Sequence, residues 1–305
     1  MSDVLVLSDE VNAAIADGRP IVALETTLVS HGFPHPEGAD VARTSEARVR
    51  AEGAVPATIG VVDGVIRVGL EDAELERFSL AGAAARKLGP RDIAACVAQG
   101  ALGATTVGST LAIATLAGIR FMATGGLGGV HRGFTQVPDI SADLGELTRS
   151  PVLVVSSGVK SLLDVPATAE VLESLSIPVL GWQTDTLPLF YVAEGGPPVG
   201  TRVQTAEEAA RIARLHWSGL HRSSALLLGR PPRESLDDVE ALIDEALEAA
   251  ARELVTGQGV TPYVLGYLHD HSAGRTAAAN KDLIVDNATL AAQVAVAYAE
   301  VERAG

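Results

Sequence analysis

Short runs of Val, Leu, Ile and Ala alternate along the chain with longer stretches in which apolar positions recur about every 3.6 residues. The short runs read as strands buried on both faces: Ile21–Val29, Thr58–Val62, Val65–Val68, Ile119–Ala123, Val152–Ser156, Ile177–Leu180 and Ala225–Leu228. Asp63-Gly64 between the second and third marks a hairpin turn. The longer stretches predict helices over Ser8–Gly18 (Ser8 as N-cap), Gly38–Glu52, Glu71–Phe78, Ile93–Gly100, Glu207–Leu215, Leu236–Leu254, Pro262–His271, Thr276–Ile284 and Asn287–Val301. Ser156, Ser157 and Gly158 break the Val152 run; Leu162, Leu163 and Val165 then predict a helix with Lys160 in its first turn. Strands alternate with helices throughout, without an internal repeat or low-complexity segment. The pattern predicts one α/β domain over 1–305, a three-layer α/β/α sandwich with a mixed, mostly parallel central sheet.

Composition narrows the partners. The chain has 305 residues, 47% hydrophobic but only 4% aromatic, so its core is aliphatic. A net charge of -15 argues against nucleic acid or an anionic membrane as the main partner; a phosphorylated small molecule needs only a local cluster of donors. The one cysteine, Cys96, rules out a disulfide framework within the chain. No secretory leader pattern is seen, and no apolar run reaches about 18 residues. The expected setting is cytoplasmic.

Several segments carry candidate chemistry. A strand that ends in a small-residue turn projects side chains at the carboxyl edge of a sheet, where open α/β sheets bind ligands. Lys160 follows such a turn. The positive end of a helix dipole and burial both disfavour its charge, which would make it a nucleophile toward a carbonyl; on this segment alone the commoner case is a lysine that snorkels to solvent. Glu25 interrupts an apolar run; buried there, its pKa rises and it suits a general acid, whereas on a solvent-facing side it is ordinary. His31 and His35 lie four apart, but Pro34 and Pro36 exclude the helix that a zinc pair would need. Thr105, Thr106, Ser109 and Thr110 can offer hydroxyls and backbone N–H groups to a phosphate at a helix start. Four glycines in TGGLGGVHR, from Thr124 to Arg132, let a ligand approach the backbone. Asp139, Ser141 and Asp143 are hard oxygen donors suited to Mg²⁺ or Mn²⁺; Asp139 and Ser141 can also cap a helix running through Leu147. Lys87 and Arg91 can reach an anion, and the amides of Asn280 and Asn287 can read a base or a hydroxyl.

In combination, ALETTLVSHGFPHP, GAVPATIGVVDGVIRVGL, MATGGLGGVHRG, DISADLGEL, SSGVKSLLDVPATAEVLE and AANKDLIVDNATLAAQVAVAYA resemble the pseudouridine-5′-phosphate glycosidase family, which includes the indigoidine-cluster A proteins. The resemblance runs from about Val22 to Ala299. It implies reversible cleavage of the carbon–carbon glycosidic bond of pseudouridine 5′-phosphate to uracil and ribose 5-phosphate. It also implies an adduct of Lys160 with the ring-opened sugar, Glu25 as proton donor, Asp139 as Mn²⁺ ligand, and a homotrimer. Lys87, Val107, Ser141, Ala142 and Asp143 match substrate-binding positions; Thr106 and Thr124 join them, and Asn280 falls where the base is read. The chemistry is coherent. A C-glycoside has no leaving heteroatom, so a pair of carboxylates acting as in ordinary glycosidases would do poorly. An iminium at C1′ supplies the electron sink, which requires a neutral amine and a proton for the uracil carbon.

The chain departs from the family at LGPRD (Leu88–Asp92), FYVAEGG (Phe190–Gly196), LGRP (Leu228–Pro231) and Glu37-Gly38. If these border the aglycone, they suit an alternative: a biosynthetic C-glycosynthase joining ribose 5-phosphate to a non-uracil ring. A regulatory protein that kept the pocket is disfavoured by intact Glu25, Lys87, Asp139 and Lys160. A phosphosugar kinase is disfavoured by the lack of a Walker A loop.

Overall fold

The computed structural model describes residues 4–135, 138–236, 238–255 and 259–304. The strands are β1 (Leu5–Leu7), β2 (Ile21–Glu25), β3 (Val55–Val62), β4 (Val65–Val68), β5 (Arg86–Leu88), β6 (Gly103–Thr105), β7 (Phe121–Ala123), β8 (Val130–His131), β9 (Leu153–Ser156), β10 (Leu163–Asp164), β11 (Val179–Trp182), β12 (Thr201–Val203) and β13 (Leu226–Gly229). The α-helices are α1 (Asp9–Ala16), α2 (Glu37–Ala51), α3 (Asp72–Ala81), α4 (Ile93–Ala98), α5 (Val107–Leu116), α6 (Ala142–Leu147), α7 (Val165–Ser174), α8 (Ala206–Arg214), α9 (Val239–Arg252), α10 (Val260–His271) and α11 (Arg275–Ala304). The main sheet runs β1-β4-β3-β2-β7-β9-β13-β11-β12, with β6 and then β5 joined to the far half of β3. Its described pairs are parallel except β3–β4 and β3–β6. This is the expected mixed, mostly parallel sheet.

Side-chain alternation explains the three layers. Val22, Leu24, Phe121, Ala123, Leu153, Val155, Leu226 and Leu228 point to one face, where Ala209, Ala213, Ala291 and Val294 of α8 and α11 cover them. Ala23, Met122, Val154 and Leu227 point to the other, against Leu111 and Ile113 of α5 and Leu144 and Leu147 of α6. Both faces are dry, which is why the strands read as unbroken apolar runs. No described helix is long and apolar enough to cross a membrane.

Three expectations are corrected. The run from Ile21 leaves the sheet at Glu25, not Val29: Thr26 Oγ1 donates to Ile59 O (2.8 Å), and a π-helical turn, Leu28–Gly32, follows. The two expected C-terminal helices are one, α11. Asn287 spends its amide on Thr124 O (2.8 Å) and Ser157 Oγ (3.1 Å), and Asp286 is held by Arg230 (2.9 Å) and Arg233 (2.6 Å), so neither residue caps or breaks the helix. Lys160 is not in a helical first turn. The next helix, α7, begins at Val165, where Asp164 accepts from Ala167 N (3.0 Å) and Pro166 fits the first turn. Leu163 is instead buried by the pairing of β10 with β8. The helix dipole therefore does not act on Lys160. Asp237, inside the expected Leu236–Leu254 helix, lies outside the described residues.

Candidate active site

Four strands end at one place, three of them parallel (β2, β7 and β9) and the fourth, β6, antiparallel to β3. β2 ends in Glu25, β7 in Ala123 just before Thr124, β9 in Ser156 four residues before Lys160, and β6 in Thr105 just before Thr106. β5, parallel to β6, brings Lys87 to the same edge. The glycine loop and the lysine loop extend the β7–β9 pairing: Ser157 N donates to Gly125 O (2.9 Å), Leu127 N to Gly158 O (2.9 Å) and Lys160 N to Leu127 O (3.1 Å). Gly126 is needed here, because a Cβ would stand 2.6 Å from the Phe190 ring and 3.3 Å from Lys160 Cγ.

Glu25 is buried, and Thr124 Oγ1 donates to its Oε1. Burial pushes the Glu25 carboxyl up, against the opposing pull of the Lys160 charge and the Thr124 hydroxyl. Lys87 is pushed down to about 8, first by burial and then by the Lys160 charge, with Asp143 and Glu25 opposing. The four groups thus share one electrostatic neighbourhood. A buried carboxyl held toward its neutral form beside a lysine can give a proton and take it back.

Three cavities meet at this edge. A narrow throat of about 60 Å³ is lined by Glu25, Lys87, Thr124, Lys160, Phe190 and Asn280, among others. On one side it opens into a chamber of about 470 Å³ lined by Arg91, Thr106, Asp139, Ser141, Ala142 and Asp143. On the other it meets a chamber of about 330 Å³ lined by Phe33, Tyr191, Leu265 and His269, sharing His31 and Asn280 with the throat.

The larger chamber carries the anion-binding features. Ser141 caps α6 and Thr106 caps α5, whose first N–H groups have no helical acceptor. Val107 is buried as the first residue of α5, so what it can offer a ligand is its backbone N–H. Asp143 accepts from Gly108 N (2.7 Å) and Gly128 N (3.0 Å), clipping the start of α5 to the glycine loop. A Cβ at Gly128 would lie 2.3 Å from Ser141 Oγ. Thr105 and Thr110 turn inward: Thr105 Oγ1 donates to Ile59 O (2.7 Å), and Thr110 Oγ1 donates to Thr105 Oγ1 (3.0 Å).

Asp139 is partly exposed on the chamber wall, with His131 Nδ1 4.0 Å from its Oδ2. Burial pushes the His131 imidazole down, against the pull of Asp139. Among the described residues no three His, Cys, Asp or Glu converge as a metal cage. One carboxylate beside hydroxyls and open space still fits a hard divalent cation whose other ligands are water and substrate.

The structure brings together Glu25, Lys87, Thr106, Thr124, Asp139, Ser141, Ala142, Asp143, Lys160 and Asn280 as lining residues. Asn287 is a clamp on the two loops rather than a reader of ligand. Reading the sequence missed His31, His131 and Phe190 as lining residues. The two histidines sit inside the SHGFPHP and GGVHRG motifs, and Phe190 opens the FYVAEGG segment that departs from the family. Of the segments that depart from the family, Gly89 and Arg91 line the larger chamber, Phe190 the throat and Tyr191 the smaller chamber; Glu37, Gly38, Val192–Gly196 and Arg230 line none of the three cavities.

The fold and these groups define an α/β/α enzyme with a lysine and a buried glutamate paired in a cleft at the carboxyl edge of its sheet. The chain belongs to the indigoidine synthase A like protein family, whose model matches residues 10–297. It is 48% identical over 96% of its length to a pseudouridine-5′-phosphate glycosidase of Herpetosiphon aurantiacus, covering 97% of that protein. It is 46% identical over 97% to one of Chloroflexus aurantiacus, covering 99% of it. Among solved structures it is similar to the prealnumycin C-glycosynthase AlnA in complex with ribulose 5-phosphate, with a TM-score of 0.90, 39% identity and 99% of both chains covered. An indigoidine synthase A-like protein of Thermotoga maritima superposes with a TM-score of 0.86 at 36% identity, covering 96% of both chains.

Proposed function

We propose that the protein reversibly cleaves pseudouridine 5′-phosphate to uracil and ribose 5-phosphate through a Lys160–sugar Schiff base. The observation that carries this reading is the meeting of Lys160 and Glu25 in a throat between two chambers, one suited to a phosphorylated sugar and one to a ring. The full-length similarity to proteins named pseudouridine-5′-phosphate glycosidase supports it.

In the proposed sequence the Lys160 amine bonds to C1′ as the C1′–O4′ bond breaks, and a proton passes from the nitrogen, now positively charged, to O4′, which frees the nitrogen lone pair. The nitrogen lone pair then forms C1′=N while the C1′–C5 bond breaks. Its electron pair goes to C5 of uracil, which takes a proton from Glu25. Water hydrolyses the imine, releasing ribose 5-phosphate and restoring the amine. Thr124 orients the Glu25 carboxyl. Lys87, Thr106, Ser141, Ala142, Asp143 and the Val107 N–H hold the sugar phosphate, and Asn280 holds the base. Asp139 would hold Mn²⁺, which supplies positive charge beside the anionic substrate. The same reading carries a cytoplasmic homotrimer, checked by light scattering of the purified protein.

A second reading, synthesis of a C-glycoside on a non-uracil ring, is favoured by the similarity to AlnA. Its sequence argument is divided, because LGPRD and FYVAEGG reach the three cavities whereas LGRP and Glu37-Gly38 do not. The test is release of uracil from pseudouridine 5′-phosphate with Mn²⁺, with Lys160→Ala and Glu25→Ala in parallel. Release that both substitutions abolish is expected. No release of uracil, from a protein that couples ribose 5-phosphate to another ring, would replace the first reading with the second.

A further inference from the structure

His31 has no part in the chemistry above, yet it is built into the site. It lies in the turn Leu28–Gly32 that follows the strand ending in Glu25. That turn is fixed from several sides. Ser30 Oγ donates to Phe78 O (2.9 Å), and Val29 N and Ser30 N both donate to Thr26 O (3.0 and 3.1 Å). Gly38 packs so closely that a Cβ there would stand 2.1 Å from Val29 O. The ring is thus held by an anchored backbone. It does not share a ligand with His35, whose Nδ1 lies 3.2 Å from Ser79 Oγ and 3.6 Å from Glu76 Oε1.

Among the described residues, His31 Nε2 is one of three buried side-chain polar atoms without a hydrogen-bond partner. A buried polar atom left unpaired is costly, and in a native site it points to a missing partner. The other two, on Thr115 and Tyr298, line none of the three cavities. His31 lines both the throat and the smaller chamber, where it shares the wall with Asn280, and it does not line the chamber of Asp139 and Ser141. Its missing partner therefore lies on the aglycone side. Burial, and then the charge of Lys87, hold the imidazole below its usual range, against the pull of the Ala85 backbone. With its other nitrogen committed to the Ala85 backbone, the neutral imidazole leaves Nε2 as an acceptor, which matches a ring whose edge carries an N–H group.

We infer that His31 is a specificity-determining residue for the aglycone, hydrogen-bonding a polar edge atom of the uracil ring through Nε2. This rests on the function proposed above. The experiment runs the reaction toward synthesis, from ribose 5-phosphate and uracil, with the whole protein and the variants His31→Ala and His31→Gln. The KM of each substrate is measured, alongside the yield of borohydride-trapped ribose 5-phosphate adduct on Lys160. Loss of one buried hydrogen bond predicts a rise of about tenfold in the uracil KM for His31→Ala. The ribose 5-phosphate KM and the adduct yield should stay unchanged. His31→Gln, whose amide offers a donor and an acceptor at similar reach, should recover part of the loss. The wild-type protein should prefer uracil to 1-methyluracil or 3-methyluracil, and His31→Ala should lose at least one of these preferences. An unchanged uracil KM with both preferences intact would overturn the inference. So would an equal rise in the ribose 5-phosphate KM or loss of the adduct, which would mark His31 as packing. A wild-type protein that traps the sugar but never couples uracil would show that the proposed function has failed, and the inference would fall with it.

Discussion

Thr124→Val removes one hydroxyl from the site and little else. Thr124 is buried, and its Oγ1 donates to Glu25 Oε1. Its backbone links, N–H to Val155 O at 3.0 Å and C=O from Asn287 Nδ2 at 2.8 Å, do not involve the side chain. Valine has nearly the same shape, so no cavity opens. The lost bond favours the ionised carboxylate, in opposition to burial, which already holds Glu25 above the ordinary range. A hydrogen bond to a charged group contributes about 1.5–3 kcal/mol, so without it the Glu25 carboxyl should hold its proton to higher pH. The sign is upward because the hydroxyl stabilised the ionised form. The assay is an infrared titration of the protonated-carboxyl band that disappears in Glu25→Gln. In Thr124→Val that band should persist to higher pH than in wild type. A band that titrates at the same pH or lower would refute the claim that Thr124 tunes the proton donor.

Other substitutions test the neighbours. Lys87 is held at about 8 against an ordinary 10.5, so folding opposes its charge. Its contribution to stability is present above pH 10.5 and lost as pH falls through about 8. Lys87→Met should therefore be more stable than wild type at neutral pH, by up to about 3 kcal/mol, with the gain vanishing at high pH in urea titrations. Asp143→Asn keeps the shape but turns an N–H toward one of two backbone donors, Gly108 N or Gly128 N. It should lower the urea midpoint by the equivalent of about 2–3 kcal/mol without changing the m-value. Gly128→Ala drives a methyl onto Ser141 Oγ. It should take about 1–3 kcal/mol from stability and ribose 5-phosphate affinity together, read by calorimetry.

The layers were legible because both faces of the sheet are dry. Buried parallel strands show as apolar runs, and β2, β3, β9 and β13 were found that way. The three-residue strands β1, β5 and β12 were not, because Leu5–Leu7, Arg86–Leu88 and Thr201–Val203 are too short, and the last two too polar, to stand out. β5 matters most, since it carries Lys87 to the site. Around Lys160 the local signal misled: Leu162 and Leu163 look like a helix face, but the pairing of β10 with β8 buries Leu163, and the true start is marked by Asp164 and Pro166. Asn287 read as the start of a separate helix and as a ligand-reading amide because its partners, Thr124 and Ser157, lie far away in sequence. The site residues came from motif resemblance. Their convergence is a tertiary fact: Glu25, Lys87, Lys160 and Asn280 come from four segments that only the sheet edge and α11 bring together.

The central claim is that Lys160 is the nucleophile. Incubation with ribose 5-phosphate and borohydride, followed by peptide mass mapping, tests it directly. A reduced sugar-phosphate adduct on the peptide containing Lys160, absent from Lys160→Ala and retained in Glu25→Gln, is the predicted result. An adduct on Lys87 instead, or cleavage that survives Lys160→Ala, would contradict the account.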